Sequence, residues 1–96
     1  MKRLVWSPRS LQDLLAIRDY IARDSPHYAD LTVRRVFDAV ERLARFPESG
    51  RLVPELRPRD IREVIVGSLR VVYRYDGGTV GVVTVFNASR QFPEDV

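Results

Sequence analysis

An α+β fold of two layers, β-α-α-β-β-β with a helical hairpin packed on one face of a mainly antiparallel sheet, follows from three features of the sequence. Two long segments with apolar residues at helical spacing each open on Ser-Pro, at Ser7-Pro8 and Ser25-Pro26. A non-periodic stretch at 47–60 carries three of the six prolines. Beyond it, β-branched residues alternate in period two, broken by Gly67-Ser68 and by Asp76-Gly77-Gly78.

Each element has a local reason. Arg3-Leu4-Val5-Trp6 reads as a short strand. Ser7 is a good N-cap, and Pro8 at the first helical position has no N–H to leave unpaired. Leu11, Leu14, Leu15, Ile17, Ile21 and Ala22 then cover an arc of roughly 160°, wider than the stripe needed for one packing partner. The first helix should therefore touch more than one neighbour. Ser25-Pro26 repeats the start signal, and Val33, Val36, Phe37, Val40, Leu43 and Ala44 form one apolar face that ends before Pro47. The short link makes the two helices an antiparallel hairpin. Strands are expected at Ile61–Val66, Leu69–Tyr75 and Thr79–Phe86, with a polar tail from Asn87 to Val96.

Composition narrows the function. Ninety-six residues, 45% apolar and 30% charged, suit one compact domain spanning 1–96. No apolar run approaches the ~18 residues of a membrane span, and the N-terminus lacks the apolar core of a secretory signal. Absence of cysteine excludes disulfides, thiolate chemistry and Cys-based zinc sites, and a reducing cytoplasm is the expected compartment. The net charge is +3, spread over both halves, and every basic residue except Lys2 is Arg. Arginine suits phosphate, carboxylate and aromatic partners. His27, the one histidine, stands at a helix start where a protonated ring is disfavoured, and no serine lies in a nucleophile-elbow context. Neither a Gly-rich phosphate loop nor a metal-ligand spacing is present, so no cofactor and no metal is expected.

Pairing rules then predict an uncovered sheet face. A two-residue hairpin at Gly77-Gly78 sets Arg74 opposite Gly81, Val72 opposite Val83 and Arg70 opposite Val85. Leu69, Val71, Tyr73, Tyr75, Val80, Val82, Thr84 and Phe86 fall under the helices. Arg70, Val72, Arg74, Val83, Val85 and Asn87 fall on the other side, which has no third layer to cover it. A three-residue turn at Gly67 adds Arg62 and Val64 to that face and avoids burying Arg62 under the helices. Valines among arginines form a docking surface for an apolar and acidic partner. With Arg90, these nine residues are the candidate site. Arg62, Arg70 and Arg90 could clamp phosphates, but no general acid or base is evident beside them.

At this point the chain resembles the RelE/ParE superfamily of type II toxins over nearly its whole length. The resemblance rests on Asp13-Leu14 with Ile17 and Tyr20-Ile21, Ser25-Pro26 through Leu43 to Pro47, and Pro47-Glu48-Ser49-Gly50-Arg51. It continues through Pro54-Glu55-Leu56, Arg62-Glu63, Leu69-Arg70-Val71-Val72-Tyr73-Arg74 and Val85-Phe86-Asn87-Ala88-Ser89-Arg90. It implies a toxin neutralised by a cognate antitoxin, a short acidic protein whose C-terminal segment wraps the toxin. RelE-like members cleave mRNA in the ribosome with a basic set that Arg62, Arg70 and Arg90 match; a further lysine of that set falls near the apolar Val64, and the tail lacks the usual Tyr or His. ParE-like members poison DNA gyrase and are not hydrolases, and many carry a histidine where this chain has Asn87. The helical hairpin and the Pro-x-x-Gly-Arg segment are similar to the ParE-like branch. The expectation is a ParE-like gyrase poison; the alternatives are a RelE-like ribosome-dependent endoribonuclease and a non-toxic antitoxin-binding module.

Overall fold

The structure, a computed structural model, describes residues 1–56 and 60–96. Its elements are β1 (Arg3–Trp6), α1 (Pro8–Ala22), α2 (Pro26–Arg45), β2 (Arg51–Leu52), β3 (Ile61–Val66), β4 (Leu69–Tyr75) and β5 (Thr79–Asn87). Both Ser-Pro starts work as the sequence implies. The Ser7 hydroxyl accepts the Ser10 N–H at 3.0 Å, and the Ser25 hydroxyl accepts the Tyr28 N–H at 3.1 Å. The stretch expected to be wholly loop contains the two-residue β2, which pairs with β3; residues 57–59 of that stretch lie outside the described residues. No described helix is long and apolar enough to cross a membrane.

The five strands form one mixed sheet in the order β1-β5-β4-β3-β2, with β1 parallel to β5 and the other pairs antiparallel. The helices cover one face. Leu14, Val36, Val40, Leu69, Val71, Val82 and Val85 form the main core between the layers, and Leu43, Tyr73 and Val80 continue it. The wide stripe of α1 divides as its arc requires. Leu14 and Ile17 enter the core, α1 packs on both α2 and β5, and Leu11 and Leu15 stay exposed.

Two registers differ from expectation, and each moves site residues. The β3–β4 turn is Gly67-Ser68 alone: Val66 pairs with Leu69, Val64 with Val71 and Arg62 with Tyr73. Gly67 has φ 60°, the left-handed conformation such a tight turn needs. Arg62 and Val64 therefore belong to the helix side. The charge that argued against this register is satisfied at the end of the sheet. Arg62 Nη1 donates to the Gly50 carbonyl at 2.8 Å and the Glu48 carbonyl at 3.3 Å, and Nη2 lies 3.5 Å from the Glu48 carboxylate.

The β4–β5 hairpin follows the expected pairing from Asp76 as far as Tyr73–Val82 and then shifts at a bulge. Val72 pairs with Thr84, Val71 with Val85 and Arg70 with Phe86. The extra residue is Val83, whose carbonyl accepts from the Ser7 hydroxyl at 3.1 Å, and α1 braces the residues after it: the Asp13 carboxylate accepts from the Thr84 hydroxyl and, at 3.3 Å, from the Val85 N–H. The shift reverses four placements: opposite Leu69, Asn87 joins the helix side, and opposite Val72, Thr84 leaves it. Val85 is in the core under the helices, and Phe86 crosses to the opposite face.

That opposite face is not bare, contrary to the sequence reading. Val53 and Leu56 from the β2–β3 connection and Phe92 from the tail pack over Ile61, Val72, Val83 and Phe86. Val72 is 0% exposed and Arg70 7%. An apolar strip flanked by guanidinium groups is unstable against water, and the chain covers it with its own two segments.

Candidate partner-binding groove

The nine candidate residues separate into three places. Arg70, Val72, Arg74 and Val83 share the face away from the helices; Arg62, Val64 and Val85 lie on the helix side; Asn87 and Arg90 stand at a groove.

On the first of these faces the arginines are consumed internally. Arg70 Nε donates to Glu63 at 2.6 Å, while Nη1 and Nη2 reach the two Glu55 oxygens at 2.8 Å each. Its guanidinium carbon also lies 5.1 Å from the Phe86 ring and 5.4 Å from the Phe92 ring. The bidentate hydrogen bonds from Arg70 hold the Glu55 carboxyl down at about 2, and those same bonds raise the Arg70 pKa against the effect of burial. Glu63, with a fully buried side chain, also accepts from Arg51 Nε at 2.6 Å. Arg74 is exposed and donates to Asp60 at 2.7 Å.

An open groove lies elsewhere on the molecule. About 910 Å³ in volume, it runs between α1, the start of α2, the β3–β4 turn, the end of β5 and the tail. Helical geometry builds its wall: Arg9, Asp13, Ala16 and Tyr20 of α1 and Arg23 at its C-cap recur every three or four residues along one side, and Tyr28, Thr32 and Arg35 of α2 line the groove with them. The span from Arg9 to Arg23 is about 21 Å at 1.5 Å per residue, enough for about six residues of an extended segment. Ile17, Ile21, Val66, Leu69, Val85 and Phe86 give it an apolar lining.

The rim is basic. Arg9 is occupied by Asp13 at 3.5 Å and by Asp95 of the tail, and these contacts raise its pKa. Arg23, Arg35 and Arg90 line the groove with no carboxylate within ion-pairing distance among the described residues. At the mouth, the Asn87 side-chain oxygen accepts from the Ser89 N–H at 2.9 Å and from its hydroxyl, so the turn presenting Arg90 is ordered by local bonds. An apolar trough with unpaired guanidinium groups along its edge suits a peptide bearing apolar and acidic side chains. No group of three or more His, Cys, Asp or Glu is placed to hold a metal among the described residues.

Sequence reasoning missed Glu55, Asp13 and Phe86 as determinants of the site. Nothing local signals that Asp13 meets Thr84, 71 positions away.

A two-helix layer on a five-stranded mixed sheet, with a basic-rimmed groove beside the first helix, defines the class: a type II toxin of the RelE/ParE superfamily. The profile described as "ParE toxin of type II toxin-antitoxin system, parDE" matches residues 4–92, and the chain belongs to that family. It is 38% identical to "Toxin RelE2" of Caulobacter vibrioides over 94% of this chain and 99% of that protein. In structure it is similar to a chain of the chromosomal ParDE toxin–antitoxin system from P. aeruginosa, with a TM-score of 0.74, 21% identity, and 91% and 96% of the two chains covered. A chain of the RelBE2 toxin–antitoxin complex from Mycobacterium tuberculosis gives a TM-score of 0.64 at 20% identity, with 90% and 96% covered.

Proposed function

We propose that this chain arrests growth by binding and poisoning DNA gyrase, and that a cognate antitoxin neutralises it by seating an acidic, amphipathic segment in the groove. Membership of the ParE toxin family supports the toxin role. Against a nuclease stands one observation: two of the three arginines that match the RelE-like basic set are already engaged. Arg70 is shared by Glu55 and Glu63, and Arg62 holds the Gly50 and Glu48 carbonyls. Phosphate clamping by either would first have to break a buried or half-buried pair. Charge complementarity at Arg23, Arg35 and Arg90 supports an acidic partner, and the apolar floor supports one that orders on binding.

The test runs the purified toxin in a gyrase supercoiling assay beside a ribosome-programmed mRNA cleavage assay. Inhibition of supercoiling, relieved by added antitoxin, is the expected result. The second reading, a ribosome-dependent endoribonuclease, draws on the exposed Arg90 and on the similarity to Toxin RelE2 of Caulobacter vibrioides. Cleavage of ribosome-bound mRNA with gyrase unaffected would replace the first reading with the second. A chain inert in both assays that still captures antitoxin would be a binding module alone.

A further inference from the structure

The sheet ends at β1, which has a neighbour on one side only. Towards β5, Arg3 and Ser7 donate their N–H groups to the Gly78 and Val82 carbonyls at 3.2 and 3.0 Å, so in this parallel pair the odd-numbered residues turn their backbone groups inward. The even-numbered ones turn theirs outward. Lys2 donates its N–H to the Ala44 carbonyl at 2.8 Å, but the backbone N–H and C=O of Leu4 and of Trp6 have no partner among the described residues. Nothing blunts the edge between them: Leu4-Val5-Trp6 holds no proline, no charge and no bulge. Leu4 and Trp6 point their side chains to the helices, and Val5 therefore points to the other face. Val5 is 41% exposed there, because its neighbour on β5 is Gly81, which has no side chain to cover it. On the helix side, Phe37 of α2 stands 5.0 Å from the Trp6 ring and is also exposed.

We infer that this edge pairs with the same edge of a second copy of the chain, β1 antiparallel to β1, about a two-fold axis at Val5. The free backbone groups fix that register. With Leu4 opposite the partner's Trp6, each such pair exchanges both of its hydrogen bonds. A slip that sets Leu4 against the partner's Leu4 needs the Lys2 N–H, which Ala44 already holds. The opposite slip, Trp6 against the partner's Trp6, brings Leu4 to the partner's Pro8, which has no N–H to give. In the remaining register Val5 meets the partner's Val5 at a position where paired Cα atoms stand about 4.5 Å apart, and each valine covers what Gly81 leaves bare. The two copies of Arg3 are then about 13 Å apart at 3.3 Å per residue, beyond the screening length of about 8 Å at physiological ionic strength, so charge does not oppose the pairing. None of the residues lining the groove belongs to β1, so the pair keeps two open grooves. A contact of this size makes a reversible dimer. The inference goes beyond the toxin reading and stands whichever target that reading ends on.

Sedimentation equilibrium of the full chain from about 5 to 500 µM tests it, since a reversible dimer depends on protomer concentration. The weight-average mass should rise from the 11.1 kDa monomer towards twice that value. Val5→Lys and Val5→Asp each set like charges face to face at the axis, and each should weaken association by at least about fivefold while melting as the unaltered chain does. Mixed in equal amounts, the two variants should associate at least as tightly as the unaltered chain, a rescue that requires position 5 to face itself. The chain has no cysteine, so Val5→Cys supplies a second measurement. On oxidation it should give a covalent dimer, its Cα spacing falling within the roughly 4.4–6.8 Å that a disulfide spans, whereas Arg3→Cys on the same face of β1 should not. A chain that stays monomeric at the highest concentration overturns the inference, as does a dimer that both Val5 charge variants leave intact. A monomeric chain in which Val5→Lys weakens antitoxin binding overturns it too, since the edge then receives a strand of the antitoxin.

Discussion

Replacing Glu63 by Gln should remove a large part of the stability of the fold, and the size of the loss can be worked from its surroundings. The Glu63 side chain is 0% exposed and receives Arg70 Nε and Arg51 Nε at 2.6 Å each. Arg51 is 60% exposed, so its share is that of a surface pair, between zero and about 1 kcal/mol. Arg70 is 8% exposed at its side chain, and breaking a buried pair from one side costs about 3–5 kcal/mol. Because Glu55 still holds the outer fork, the low end applies, about 3 kcal/mol. Urea unfolding followed by Trp6 fluorescence should show the midpoint falling with an unchanged slope, and Tm should drop by about 12–24 °C. Arg51→Ala should lose less than about 1 kcal/mol. The pair Glu63→Leu with Arg70→Met, which leaves no buried charge, should recover most of the loss. A Glu63→Gln loss below about 1 kcal/mol, or one matched by Arg51→Ala, would refute the assignment of Glu63 as the buried counter-ion of Arg70.

Three further outcomes follow from other parts of the structure. A Cβ at Gly50 would stand 2.5 Å from the Tyr73 hydroxyl and 2.6 Å from the Glu63 carbonyl, so Gly50→Ala should destabilise by about 1–3 kcal/mol or more in denaturant titrations. The same glycine's N–H donates to that hydroxyl at 3.0 Å, which in turn donates to the Pro47 carbonyl at 2.7 Å, so the crowding cannot be relieved by rotating Tyr73 away. Glu55 titrates at about 2 in the folded protein, below its ordinary value of 4.5. Its stabilising contribution is therefore complete above about 4.5 and disappears as pH falls through about 2; urea midpoints measured from about pH 5 down should show that loss in the unaltered protein and not in Glu55→Gln. The loss should be modest and weaker in high salt, because the carboxylate is partly exposed. Arg90→Glu should slow association with the antitoxin and reduce its salt dependence in surface-binding kinetics, leaving the melting temperature unchanged.

Physical reasons separate what was legible in the chain from what was not. Ser7-Pro8, Ser25-Pro26 and Asp76-Gly77-Gly78 act over a few residues, through a hydroxyl on a nearby N–H or a carboxylate on a turn. The Asp76 side chain accepts from the Gly78 and Thr79 N–H groups, which lowers its pKa. Such signals survive in any tertiary context. Val85 was misplaced for the opposite reason: its side depends on a bulge that Asp13 satisfies from another element. Arg62 was misplaced because the rule against burying charge is right only where no partner exists, and the Gly50 and Glu48 carbonyls are supplied by a loop far along the chain.

Neighbours within a turn or two settled the order of the main elements, both helix starts, the Asp76–Gly78 hairpin turn, the position but not the length of the turn at Gly67, and which strand residues would be apolar. Contacts between distant segments set which of those apolar residues meet the helices, roof the second sheet face with Val53, Leu56 and Phe92, and neutralise Arg70 from within. A strand reads almost alike after a slip of one residue, yet that slip carries every later side chain to the other face. The choice between registers rests on partners 7 to 72 positions away, and those exist only once the chain has folded.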